Sequence, residues 1–307
     1  MTLNAQYRAH LDGVFDHGQF PYCDACAGDP VAANPRMSDA NKDEAVEELK
    51  AADAKELHRA VREEGEAELD RPTASLIYSA LAGGLAINAS LIAEGAIHSM
   101  TVETPWRHLI VSLGYPVGFV LVILGRMQFF TESTITAMLP VVTRPSRRTA
   151  WRTGRLWVLV LGANLVGTAL TTLALAHLPL ADPPLQEGIV AVAANILKHD
   201  AIATFWTAIP AGFMIASIAW TLPNAREQAL LVIFAVTYVV GAANFSHSVV
   251  GSAEAFTLLW AGRTDLATAL FDSILPAVAG NLIGGAGLFA LLAHGQVRSE
   301  MVAAGKA

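Results

Sequence analysis

The feature that most limits this chain is a series of six apolar stretches after Pro72, at roughly 74–98, 108–142, 156–178, 201–222, 228–259 and 266–294. A helix needs about 20 apolar residues to cross the hydrocarbon layer, and each stretch is long enough. Lipid offers the backbone no hydrogen bonds, so helices that satisfy their own groups are the expected solution. Composition agrees: the chain is 53% hydrophobic and 15% charged, with a mean hydropathy of +0.44. Soluble domains carry about 25% charged residues. The expected fold is all-α and integral to the membrane, with six transmembrane helices. A disordered chain, a nucleic-acid partner and an ordinary soluble enzyme are excluded on the same grounds.

Charge is unevenly placed. Residues 1–71 hold 16 acidic and 8 basic side chains, whereas residues 72–307 hold 11 and 12. We read an acidic extension at 1–71, a transmembrane domain at 72–298 and a short tail at 299–307. Within the extension, residues 38–70 are rich in Ala, Glu and Lys, with Val46, Leu49, Leu57 and Val61 at helical spacing. One or two amphipathic helices are expected, capped at Ser38 or Asp39 and packed weakly on the membrane domain. Cys23 and Cys26 form a lone Cys-x-x-Cys. Zinc would need four ligands, with only His10 and His17 nearby, and a redox pair would need a strand–helix context. An incidental pair is the expected reading, with no metal and no cofactor. Met37 opens a segment typical of a soluble N-terminus, so 1–36 is expected to lie upstream of the true start or to be disordered. No signal peptide is expected.

Orientation follows from Lys and Arg in the short loops. Residues 144–155 hold five arginines, and Arg226, Arg298 and Lys306 fall on the same side. Arg107, Lys198 and Arg263 fall on the other. Both termini are therefore expected in the cytoplasm, with the protein multi-pass in the inner (plasma) membrane.

The second and fifth stretches are too long for one straight span, and both carry polar residues at mid-depth. Asn164-Leu-Val-Gly167 in the third stretch recurs as Asn281-Leu-Ile-Gly284 in the sixth, an offset of 117. That offset lays Phe130-Thr131 over His247-Ser248. Three spans per half force the second half to insert upside down. The expectation is a 3+3 inverted repeat with helices 2 and 5 broken, an arrangement that in transporters marks the substrate site.

In the first interruption, Phe130 and Thr131 are candidate pore residues. Glu132 is an acid at membrane depth and is costly unpaired. Arg126 lies six residues earlier, and a buried Arg126–Glu132 pair in a structural role is expected. In the second interruption, Asn244, His247 and Ser248 are candidates. His247 stands among small residues at a helix break, and imidazole titrates near neutrality. It is expected to hold or donate a proton. His58, His98, His108, His177, His199 and His294 fall in the extension or near span ends. Gly83, Gly84, Gly162, Gly167, Gly280, Gly284, Gly285 and Gly287 are expected to let helices approach closely. Phosphate loops, dinucleotide fingerprints, zinc-protease motifs and nucleophile elbows are missing, so no catalytic residue is assigned and an enzyme is not expected.

These motifs resemble the formate/nitrite transporter family over roughly residues 72–298. Phe130-Thr131 resembles the family's Leu-Phe-Thr-Ser loop. Gly-x-Asn-Leu-Val-Gly at 162–167 and Gly-Asn-Leu-Ile-Gly at 280–284 resemble its third- and sixth-span motifs. Phe245-Ser246-His247-Ser248 resembles the segment holding its central histidine, and Thr204-Phe205 resembles the start of its fourth span. The resemblance implies an aquaporin-like fold and a homopentamer in lipid, with a pore in each subunit for small monovalent anions. This chain departs from the family at Gln128, Ser246 and Gly251. The family lysine falls at Asp200, and Lys198, two residues earlier, is the candidate pore residue in its place. Arg126, Glu132 and the N-terminal extension suggest a separate branch. Two other readings stand beside the anion channel: a neutral-solute channel of aquaporin type, which would show Asn-Pro-Ala motifs, and a membrane anchor or sensor acting through the acidic extension.

Overall fold

The structure is a computed structural model and describes residues 53–303. Cys23, Cys26, Met37, the caps expected at Ser38 or Asp39, the helical positions Val46 and Leu49, and Lys306 lie outside the described residues. Among the described residues there are helices and no strands. In chain order they are α1 (Ala54–Asp70), α2 (Thr73–Met100), α3 (Arg107–Leu124), α4 (Ser133–Thr143), α5 (Arg147–His177), α6 (Pro183–Ala193), α7 (Ala201–Asn224), α8 (Ala229–Ala242), α9 (Ser248–Trp260) and α10 (Leu266–Glu300). Five of them, α2, α3, α5, α7 and α10, are long and apolar enough to cross a membrane, and α4 and α8 are shorter and apolar. The second apolar stretch contains α3 and α4, and the fifth contains α8 and α9. The chain leaves helical geometry where polar residues interrupt each stretch.

Apolar side chains cover much of the outside. Val158, Val166, Leu170, Ile202, Trp206, Leu231 and Leu292 are among the exposed ones. A surface this apolar is stable only against lipid or other protein. Inside, backbones cross closely because glycine removes the side chain between them. A Cβ on Gly84 of α2 would lie 2.3 Å from the Asn164 carbonyl oxygen, and one on Gly212 of α7 would lie 2.4 Å from that of Asn281. Gly162 does not share this role: nothing lies within 4 Å of a Cβ built there.

α1 docks firmly, unlike the weak packing expected for the extension. Its N-terminus is closed by a capping box: Asp53 accepts from the Lys55 and Glu56 N–H groups, and Glu56 accepts from the Asp53 N–H. Its buried stripe is His58, Val61, Gly65 and Leu69, one face of a helix. A Cβ on Gly65 would sit 1.8 Å from the Thr136 carbonyl oxygen of α4. Lys55 pairs with Glu300 at 3.1 Å, and Arg152 pairs with Asp70. Charge on the outer face made the sequence read as loosely attached. The inner stripe decides the packing.

Candidate functional site

Each break is held by one asparagine. Asn164 of α5 accepts the Phe130 N–H at 3.0 Å and donates to the carbonyls of Ala80 (2.7 Å) and Gln128 (3.1 Å). Asn281 of α10 accepts the Ser248 N–H at 2.8 Å and donates to the carbonyls of Ala208 (2.8 Å) and Ser246 (3.2 Å). A carboxamide offers one acceptor and two donors, so each asparagine supplies two partners that an unbroken helix would give the break, and spends its other donor on a carbonyl of the neighbouring continuous helix, α2 or α7. Left unpaired, a buried backbone group costs about 1–3 kcal/mol. This explains why Asn164, Gly167, Asn281 and Gly284 recur together: the asparagine bonds the break and the glycines let its helix close in. Arg126 and Asn244 also match, each turning the chain at φ +53° as a helix ends.

The bonds correct the register. They lay Phe130 over Ser248 and Gln128 over Ser246, an offset of 118 in the breaks against 117 at the asparagines. Phe129, not Phe130, therefore matches His247. The two rings stack, with centroids 5.5 Å apart and planes at 10°. Phe119 of α3 meets both edge-on, at 5.2 Å from His247 and 5.7 Å from Phe129. Phe130 is fully buried and holds the break through its backbone.

His247 joins the two breaks. Its Nε2 is 2.9 Å from Thr131 Oγ1, and its Nδ1 accepts the Val250 N–H at 3.2 Å. Because Nδ1 accepts, the neutral ring carries its proton on Nε2 and donates to Thr131. His247 is 2% exposed and Thr131 is fully buried. The Ser248 hydroxyl is buried with no partner among the described residues. A cavity reaches His247, and Asn244, Phe245, Ser246 and Gly251 line it. Lys198 does not. It is exposed and donates to Asn195 at 2.7 Å, while Asn195 and His199 line the cavity. Asp200 caps α7 by accepting the Ala203 N–H at 2.8 Å.

The expected Arg126–Glu132 ion pair does not form. Arg126 is largely exposed and pairs with Glu64 of α1 at 2.8 Å. The left-handed turn at Arg126 sends its side chain outward. Glu132, half-buried, lines a second cavity with Glu64, Arg126 and Arg226. Beside it, Glu68 of α1 accepts from Gln128 Nε2 at 2.8 Å and from the Thr136 hydroxyl at 2.6 Å. Burial pushes the Glu68 carboxyl above its ordinary value, and these two bonds pull it back. α1 thus covers the first break. Sequence reasoning also missed Glu94 and Glu254, which line the first cavity. The rule that singled out Glu132, a lone acid in an apolar stretch, applies equally to them.

A polytopic helical membrane protein with two broken segments meeting at a histidine is the class that this geometry defines. The family model described as "Formate/nitrite transporter" matches residues 55–295. The chain belongs to the formate/nitrite transporter family, a family of transporters rather than of enzymes. It is 35% identical over 245 residues to "Inner membrane protein YfdC" of Escherichia coli (strain K12), covering 80% of this chain and 79% of that one. Two solved structures share the fold. One is titled "Pentameric formate channel with formate bound" (TM-score 0.62, 17% identity, 74% of this chain and 98% of that chain). The other is titled "FNT family ion channel" (TM-score 0.64, 18% identity, 80% and 98%).

Proposed function

We propose that this protein is an inner-membrane channel for small monovalent anions such as formate or nitrite, with proton-coupled passage and His247 as the central polar station. The observation that carries this reading is the Thr131–His247 contact between the two breaks, walled by Phe119 and Phe129. Phenyl rings exclude a bare charge, which costs several kcal/mol or more at the bilayer centre. A protonated weak acid is neutral and crosses such a narrowing cheaply. His247 Nε2–H and the Thr131 hydroxyl are the groups that meet its oxygens midway. For His247 itself to pass a proton, the ring must first gain one at Nδ1, which requires the Val250 bond to open.

The architecture we propose is six spans in two inverted halves. α2, α3–α4 and α5 form the first half, and α7, α8–α9 and α10 the second. The twin asparagine bonds and the matched left-handed turns support this pairing. The arginines of 144–155 favour cytoplasmic termini. The apolar outer faces, together with the pentameric assembly named for the formate channel of the same fold, support a homopentamer. Flux of formate, nitrite, hydrosulfide, acetate and lactate into proteoliposomes tests the reading. Uptake of at least one of these above protein-free vesicles is expected. Uptake of none would refute it.

A further inference from the structure

Glu94, Glu254 and Tyr115 stand in the first cavity, and the passage described above does not use them. Glu94 on α2 is 6% exposed, and its Oε2 has no partner among the described residues. Its backbone is pinned by two close crossings. A Cβ on Gly114 would lie 2.5 Å from the Glu94 nitrogen, and one on Gly188 would lie 2.2 Å from the Gly95 oxygen. The helix cannot turn to carry this acid to lipid. Tyr115, also 6% exposed, leaves its hydroxyl unpartnered in the same cavity. Glu254 on α9 is seven residues after His247, on the same helix face and roughly 10 Å along the axis. Between them lies Gly251, and a Cβ there would meet nothing within 4 Å. Glu254, Gly251 and His247 all line the same cavity.

The other titratable groups lining the cavity are His108 and Tyr115 from α3, His199 from the turn before α7 and His247 from the second break. α6, α8 and α10 line it without a titratable side chain, through Val192, Val240 and Ala277 among others, and no lysine or arginine lines it. Two carboxyl groups in such surroundings need a proton or a cation between them. His247 is poorly placed to start a proton transfer, because its Nδ1 is occupied by Val250 and loss of its Nε2 proton alone would leave an anion.

We propose that Glu94 and Glu254 form a proton-loading pair that protonates a weak-acid anion in the cavity before it reaches His247. The carboxyl O–H bond breaks, and its electron pair stays on the glutamate. An O–H bond forms on the anion's oxygen, and the neutral acid moves on. The carboxylate takes its next proton from solvent at the cavity mouth. Nothing is oxidised or reduced. The proposal rests on the substrate being a weak-acid anion.

The test uses full-length protein in proteoliposomes, with labelled formate uptake and internal pH followed together, and native mass spectrometry to check assembly. Wild type should take up formate with a proton. Glu94→Gln/Glu254→Gln should lose on the order of tenfold of uptake near pH 7, with a smaller deficit near pH 5, where bulk acid supplies the proton. Glu94→Gln/Glu254→Asp keeps one carboxyl and should recover most of the rate with a shifted pH profile. Assembled double variant with wild-type rate and pH profile overturns the proposal and leaves the channel reading intact. An equal deficit at every pH overturns it in favour of a structural role. Wild type that moves none of the five anions removes the channel reading, and the proposal falls with it.

Discussion

The two breaks are built alike and finished differently. Both hang on an asparagine making the same three bonds, and both follow a residue at φ +53°. The first is covered on one side: Phe129 stacks on the histidine and Gln128 bonds to Glu68 of α1, while Arg126 and Glu132 line the second cavity. The second faces the cavity that holds Glu94 and Glu254. Equivalent backbone with unlike side chains separates what the scaffold requires from what the activity requires. The geometry ties the scaffold to Asn164 and Asn281, and the proposed activity to His247 and the residues around it.

The largest expected effect tests the shared scaffold. Asn164→Leu or Asn281→Leu strands two buried backbone groups of its break, at about 1–3 kcal/mol each. Either variant should fail to assemble or lose thermal stability sharply, as read by native mass spectrometry and a melting curve. If one asparagine tolerates leucine, the two breaks are not held alike. Next comes the cover on the first break. Gly65→Ala drives a methyl into the Thr136 carbonyl and should cost about 1–3 kcal/mol of α1 docking. Limited proteolysis within α1 reads this directly.

A pH effect on the same cover should be smaller. Burial beside His294 and Arg62 holds His58 down at about 4 from an ordinary 6.5. The undocked helix then binds the proton more readily, so the contribution of neutral His58 is complete above about pH 6.5 and is lost as pH falls toward 4. His58 packs through its ring on His294, 3.1 Å away, and on Trp220. Hydrogen exchange in α1 should therefore quicken on acidification, and His58→Leu should flatten that response. A flat wild-type profile would show that α1 is held by its other contacts alone. The smallest effect concerns the turn itself. The Arg126–Glu64 pair is largely exposed, so Arg126→Ala should cost under about 1 kcal/mol from the ion pair. Arg126→Gly, which suits the positive φ, should cost still less.

The breaks were legible because two apolar stretches were too long and carried polar residues at mid-depth. Their pairing was legible in Asn-Leu-Val-Gly and Asn-Leu-Ile-Gly. The register was not. Phe130 lies 34 residues before Asn164, and Ser248 lies 33 before Asn281, so a motif offset cannot align the breaks. The Arg126–Glu132 pairing failed because sequence separation says nothing of a left-handed turn that points the guanidinium at another helix. α1's docking was hidden by a charged outer face. α6 was missed because it is too short to span, although Asp182 and the prolines after it mark its start, with the Leu185 N–H bonded to Asp182 at 3.1 Å.

The central claim is that the solute passes between the breaks at His247. The direct measurement is labelled formate uptake by proteoliposomes of wild type and His247→Ala, each checked for assembly, at about pH 7 and about pH 5. The account predicts that assembled His247→Ala loses most of its uptake or its pH dependence, while His177→Ala and His294→Ala stay near wild type. Assembled His247→Ala with wild-type rates and pH dependence would mean that the histidine only packs against Phe129, and the pore would have to lie elsewhere.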